Sequence, residues 1–94
     1  MEKRVRNATG VLIRQLRNKK GWSQRVLARE LNLAGLIHVD TGVIGKIEAG
    51  IRRCYDYEVF VIARVLETKM ENLFPKNSRV VEIAQSEHDS EYPI

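Results

Sequence analysis

Ninety-four residues with 16 Lys and Arg against 12 Asp and Glu, a formal charge of +4, make a small basic chain with room for one modest core; chains of this size bury about 60–70% of the surface exposed when unfolded. A single cysteine, Cys54, excludes an intramolecular disulfide, and the isolated His38 and His88 give no metal-ligand spacing, so no cofactor and a reducing, cytoplasmic setting are expected. Neither an apolar run of about 18 residues nor a secretory leader is visible, so no membrane is expected, and no phosphate-cradling loop or Ser-His-Asp or Cys-His set points to an enzyme.

From Val5 to Lys20 the apolar residues Val5, Ala8, Leu12, Ile13 and Leu16 recur at helical spacing, with Arg6, Arg14, Lys19 and Lys20 largely opposite, which predicts a first helix. Thr9-Gly10 weakens its first part, so ordered helix is expected nearer Thr9, and Gly21 supplies a C-terminal stop. Ser23 is the expected N-cap of a second helix reaching about Leu31, with Leu27, Ala28 and Leu31 inward. The connection from Asn32 to Val39, about eight residues, is long beside the ~3–4 of a usual helix-turn-helix. It is also too apolar for a solvated loop. Leu33 and Val39 are expected to fold back on the core, while Leu36 and Ile37 are open between packing and a partner surface.

Asp40 is the expected N-cap of a third helix, with Ile44 and Ile47 inward and Gly50 at its end. Phe60, Ile62, Ala63 and Leu66 suggest a fourth helix from Tyr57 to Leu66, its cap open among Cys54, Tyr55 and Asp56. A short fifth helix, about Lys69 to Leu73, stops near Pro75. Val80-Val81-Glu82-Ile83 then reads as a strand or an apolar anchor, and Gln85 to Ile94 as an acidic, poorly structured end. Trp22, Tyr55, Tyr57 and Phe60 are read mostly as packing residues rather than a base-stacking set, Cys54 as a buried or half-buried filler, and His38 as incidental.

Charge is uneven along the chain. Residues 79–94 set Arg79 against Glu82, Glu87, Asp89 and Glu91, a net −3, which leaves +7 on residues 1–78. A basic body favours a polyanionic partner, although cations also solvate helix faces without further purpose.

The order and spacing of Leu16-Arg17, Gly21, Ser23-Gln24, Leu27-Ala28, Ile44, Ile47-Glu48, Gly50, Ile62-Ala63, Leu66 and Leu73-Phe74 resemble the phage repressor and Cro (Xre) type of helix-turn-helix family over roughly residues 11–75. The resemblance implies an all-α, lambda-repressor-like five-helix domain over residues 1–78, with the motif at about 23–50 and a short C-terminal extension at 79–94. Against that family's spacing the connection carries an insertion of about six residues. Longer loops cost little entropy, so it is either a tolerated excursion or a device that forms a partner surface or resets the third helix.

Residue by residue, the resemblance implies that Gln24, with Arg25 beside it, grips a DNA phosphate at a helix N-terminus, where free N–H groups favour an anion. The alternative is that Ser23-Gln24 merely caps the helix. Arg52 and Arg53 match a loop that contacts the DNA backbone, and Arg17 and Glu48 match a partly buried bridge between the first and third helices. Thr41, Gly42, Gly45 and Lys46 match the groove-facing positions, with Ala49 farther along. Only Thr41 and Lys46 carry side chains able to reach base edges there.

Two readings compete at that smooth face. Glycine lets the third helix sit deep in the major groove, or the small residues receive another protein's helix. The first implies a sequence-specific, repressor-like transcriptional regulator, cytoplasmic and DNA-associated, binding double-stranded DNA as a homodimer with Val80, Val81 and Ile83 as pairing candidates. The second implies an adaptor or antitoxin-like module of the same fold that binds a protein partner.

Overall fold

The computed structural model describes residues 2–74 of the chain, with side chains described from residue 8 onward. Four α-helices follow in order, α1 Glu2–Lys19, α2 Gln24–Leu33, α3 Thr41–Glu48 and α4 Asp56–Val65. A 3-10 helix at Met70–Leu73 takes the place of the expected fifth α-helix. No strand occurs among the described residues. The segment 80–83, the acidic end, Pro75 and the boundary near residue 78 all lie outside them.

α1 runs unbroken through Thr9-Gly10, contrary to expectation, and the crossing of α1 over α3 explains why a glycine sits there. A Cβ built on Gly10 would collide with the Ile47 carbonyl oxygen and would stand 2.9 Å from the Glu48 carbonyl oxygen and 3.0 Å from its Cα. Glycine costs roughly 1 kcal/mol in a helix interior relative to alanine. Here it lets two backbones touch. Gly21 and Gly50 close α1 and α3 with φ of 75° and 78°, the left-handed conformation that glycine adopts without strain.

Ser23 caps α2 by accepting the Val26 N–H at 3.1 Å, and Asp40 caps α3 by accepting the Val43 N–H at 2.9 Å. α2 continues two residues past Leu31 and carries Leu33 into solvent at 76% exposure, which corrects the expectation that Leu33 packs. Leu36 and Val39 enter the core instead, and Ile37 points out at 79% exposure. Asn32 organises this arrangement. Its side-chain amide donates to the Leu36 carbonyl at 2.7 Å and the Val39 carbonyl at 3.0 Å, while the Leu36 N–H bonds to the Leu31 carbonyl. The long connection is thus a folded turn with its own hydrogen bonds.

α4 starts at Asp56 with Tyr55 as N-cap residue. Its buried face is Glu58, Val59, Ile62 and Ala63, whereas Phe60, expected inward, is half exposed. Tyr55 and Tyr57 are likewise exposed, so of the four aromatic residues read as packing groups only Trp22 rests against the core. Ile13 of α1, Leu27 and Leu31 of α2, Ile44 of α3, Ile62 of α4 and Leu73 of the 3-10 helix meet at the centre. α3 is sandwiched between α1 and α2, and the 3-10 helix closes α1 against α4.

Candidate nucleic-acid interface

Glu48, the last residue of α3, is buried and collects three donors. Arg17 of α1 donates from Nε to Oε2 at 2.7 Å and from Nη2 to Oε1 at 3.0 Å, and Gln24 of α2 donates from Nε2 to Oε1 at 3.0 Å. The remaining Arg17 nitrogen, Nη1, bonds the Trp22 carbonyl at 2.8 Å. One carboxylate therefore holds α1, α2 and α3 together in the bidentate geometry that suits arginine. Gln24 is fixed by the same network. Its amide lies beside α3, with Oε1 3.6 Å from where a Gly45 Cβ would sit.

With its inner side occupied by Ile44, Ile47 and Glu48, α3 presents Thr41, Gly42, Lys46 and Ala49 to solvent, and Gly45 half exposed. The space around Gly42 and Gly45 is open or at ordinary contact distance, since added Cβ atoms would come no closer than 3.4 Å and 3.6 Å to another group. Neither glycine is required by internal packing. Arg25, at the start of α2, Lys46 and Arg53 are exposed and make no ion pair among the described residues. Arg52 differs, being drawn inward.

A second buried carboxylate receives it. Glu58 of α4 is fully buried, and Arg52 grips it with Nη1 to Oε1 at 2.8 Å and Nη2 to Oε2 at 3.0 Å. The Tyr55 N–H donates to Oε1 at 2.9 Å, and His38 Nε2 reaches Oε2 at 2.7 Å. Burial alone would push the Glu58 carboxyl upward; the hydrogen bonds from Arg52, from the Tyr55 backbone and from His38 outweigh it and bring the group down to about 2. An ionised carboxylate only accepts, so Nε2 of His38 carries the proton in this contact. His38 is a structural partner of Glu58 and not incidental. Beside the hub, burial first and the Glu58 charge second push the Cys54 thiol up to about 12, which leaves it a protonated filler.

The arrangement is that of a short capped helix offering a smooth outer face, braced by a second helix whose N-terminus opens beside it. A family model described as helix-turn-helix matches residues 13–73, from the inner turn of α1 through the 3-10 helix. The chain belongs to that helix-turn-helix family, of the Xre or lambda-repressor type. No curated protein and no solved structure matches the chain. As a helix-turn-helix protein it is a DNA-binding regulator in the general sense, of a family that is typically non-enzymatic. No helix among the described residues is long and apolar enough to cross a membrane.

The fold brings Gln24, Glu48 and Arg17 into one network with Gly45 beside the Gln24 amide, and leaves Thr41, Gly42 and Lys46 exposed on α3. Arg52 and Arg53, neighbours in sequence, part company: one guanidinium is tied to Glu58 and the other stands in solvent. Sequence reasoning missed the Glu58 hub. The signal was present in the spacing, because Glu58 stands three residues after Tyr55, where a glutamate reaches back to the N-cap N–H.

Proposed function

We propose that the chain is a sequence-specific, repressor-like transcriptional regulator that lays α3 in the major groove of double-stranded DNA and acts as a homodimer in the cytoplasm. One observation carries the reading: the solvent face of α3 is made mostly of small residues, and Lys46 on it, Arg25 at the start of α2 and Arg53 in the loop after α3 are exposed and unpaired among the described residues. Small residues let the helix axis approach base edges closely. Thr41 then meets a thymine methyl and Lys46 a guanine acceptor. Arg25 and Arg53, with the free N–H groups at the start of α2 and the Gln24 amide, hold phosphates and set the register. Arg52 serves that loop from behind, through its backbone position, and not as a free cation.

The test is titration of the chain against a DNA site selected from a randomised pool and against random DNA, across a salt series. A dimer neutralising about eight phosphates gives a log–log salt slope near −7. Lys46→Ala is expected to weaken binding to the selected site by about tenfold and random DNA far less, the mark of a base contact. Absence of any retardation at low salt would sink the reading and turn attention to a protein partner at the exposed Leu33, Ile37 and Tyr57.

A further inference from the structure

We infer that Glu58 is a positioning residue for the recognition helix, holding both flanks of α3 at once through His38 in front of it and Arg52 behind it. The inference rests on α3 being the element that reads DNA. Its structural half stands on the free protein.

α3 is eight residues long, well under the ~12–15 at which an isolated helix becomes even marginal in water. Its pose is therefore set from outside. Ile44 and Ile47 anchor it by apolar contact, which is non-directional and fixes depth more than direction. Direction needs hydrogen bonds, whose strength falls steeply with angle. Glu48 supplies them on the α1 and α2 side, and Asn32 of α2 holds the connection that precedes Thr41 through the Val39 carbonyl, but neither ties that connection to the loop after α3.

The Glu58 hub supplies the rest. His38 lies in the connection before α3 and Arg52 in the loop after it, and they meet on one carboxylate of α4, sharing its Oε2 at 2.7 Å and 3.0 Å. Each Glu58 oxygen has two partners, so the buried charge is fully satisfied. The extra length of the connection finds a purpose here. Asn32 folds it so that Val39 enters the core while the neighbouring His38 reaches across to α4. Buried ion pairs often add little net stability over a well-packed apolar group. Holding a fixed geometry is a role such a pair can fill, and the two arms attach to the segments that enter and leave α3.

His38→Ala removes one arm from a side chain that is 44% exposed and outside the apolar core, so the fold is retained; His38→Gln keeps a donor at comparable reach. The first measurement is amide hydrogen exchange on the free chain. With His38→Ala, exchange is expected to rise about tenfold both at the bonded amides of Val43 and Ile44 and, across the hub, at those of Ile51 and Arg52, with α1 and α2 unchanged and with His38→Gln restoring protection. Unchanged exchange at Ile51 and Arg52 overturns the proposal, as does an equal rise in every helix. The second measurement compares DNA. The ratio of affinities for a pool-selected site and for random DNA is expected to fall about tenfold in His38→Ala at unchanged salt slope. Equal loss on both DNAs also overturns it. A wild-type chain that binds no DNA refutes the DNA reading, and the exchange result still decides whether Glu58 couples the two flanks.

Discussion

Gly45 sits where α2 leans on α3, and a methyl group there would rest 3.6 Å from the Gln24 amide oxygen, an ordinary contact. Gly45→Ala is therefore expected to raise stability by about 1 kcal/mol, the helix-propensity difference, read as a higher Tm. The same methyl stands on the half-exposed side that the proposed reading turns to the groove, so on that reading affinity for a selected DNA site is expected to fall by about tenfold or more. A rise in stability with no loss of binding would remove Gly45 from the interface. The opposed signs make the experiment informative, because an ordinary destabilising substitution moves both quantities together.

The contact between α1 and α3 belongs to whole elements, since peptide groups touch. Gly10→Ala puts a Cβ onto the Ile47 and Glu48 backbone, which no rotamer change relieves. The helices must separate, at a cost of about 2 kcal/mol or more after the gain in helix propensity, visible as a lower midpoint in urea. An unchanged midpoint would mean that α1 can shift freely along α3.

Helix order and the two side-chain caps were legible in the sequence because their causes are local: Ser23 and Asp40 each bond an N–H three residues ahead, and Gly21 and Gly50 take positive φ. The face of α4 was not. Val59 to Ala63 is an unbroken apolar run, so periodicity cannot choose between Val59 and Phe60, and the neighbouring elements decide. Glu58 was hidden for a related reason. A charged residue in a helix reads as solvent-facing until Arg52 and His38, brought in by two separate connections, are known to meet it. At the candidate site, the outward placement of Thr41, Gly42 and Lys46 followed from the inward pair Ile44 and Ile47. The parting of Arg52 from Arg53 did not, since it depends on that long-range partner.

For the whole molecule, Glu58 couples stability to acidity. Its carboxyl titrates at about 2 in the folded chain against 4.5 ordinarily, so the unfolded chain holds more protons between those values. The contribution is fully present above about pH 4.5 and is lost as pH falls towards 2, with a total of about 3 kcal/mol. Urea unfolding at pH 7, 4 and 2.5 checks this. Glu58→Gln is expected to be less stable than the parent at pH 7 and to lose less between pH 5 and pH 2; parallel curves would assign the acid sensitivity to other carboxylates.

The backbone contact at Gly10 has one more consequence. Because α3 is gauged against the peptide groups of α1, what seats it belongs to its inward residues, its main chain and its two flanks. Thr41, Gly42, Lys46 and Ala49 take no part in that seating beyond their place in the helix. On the proposed reading, the letters that meet DNA are thus separate from the frame that holds them. A library varied at those four positions, proline excluded, should remain folded, and selection of such a library against DNA sites tests whether the preferred target moves with them.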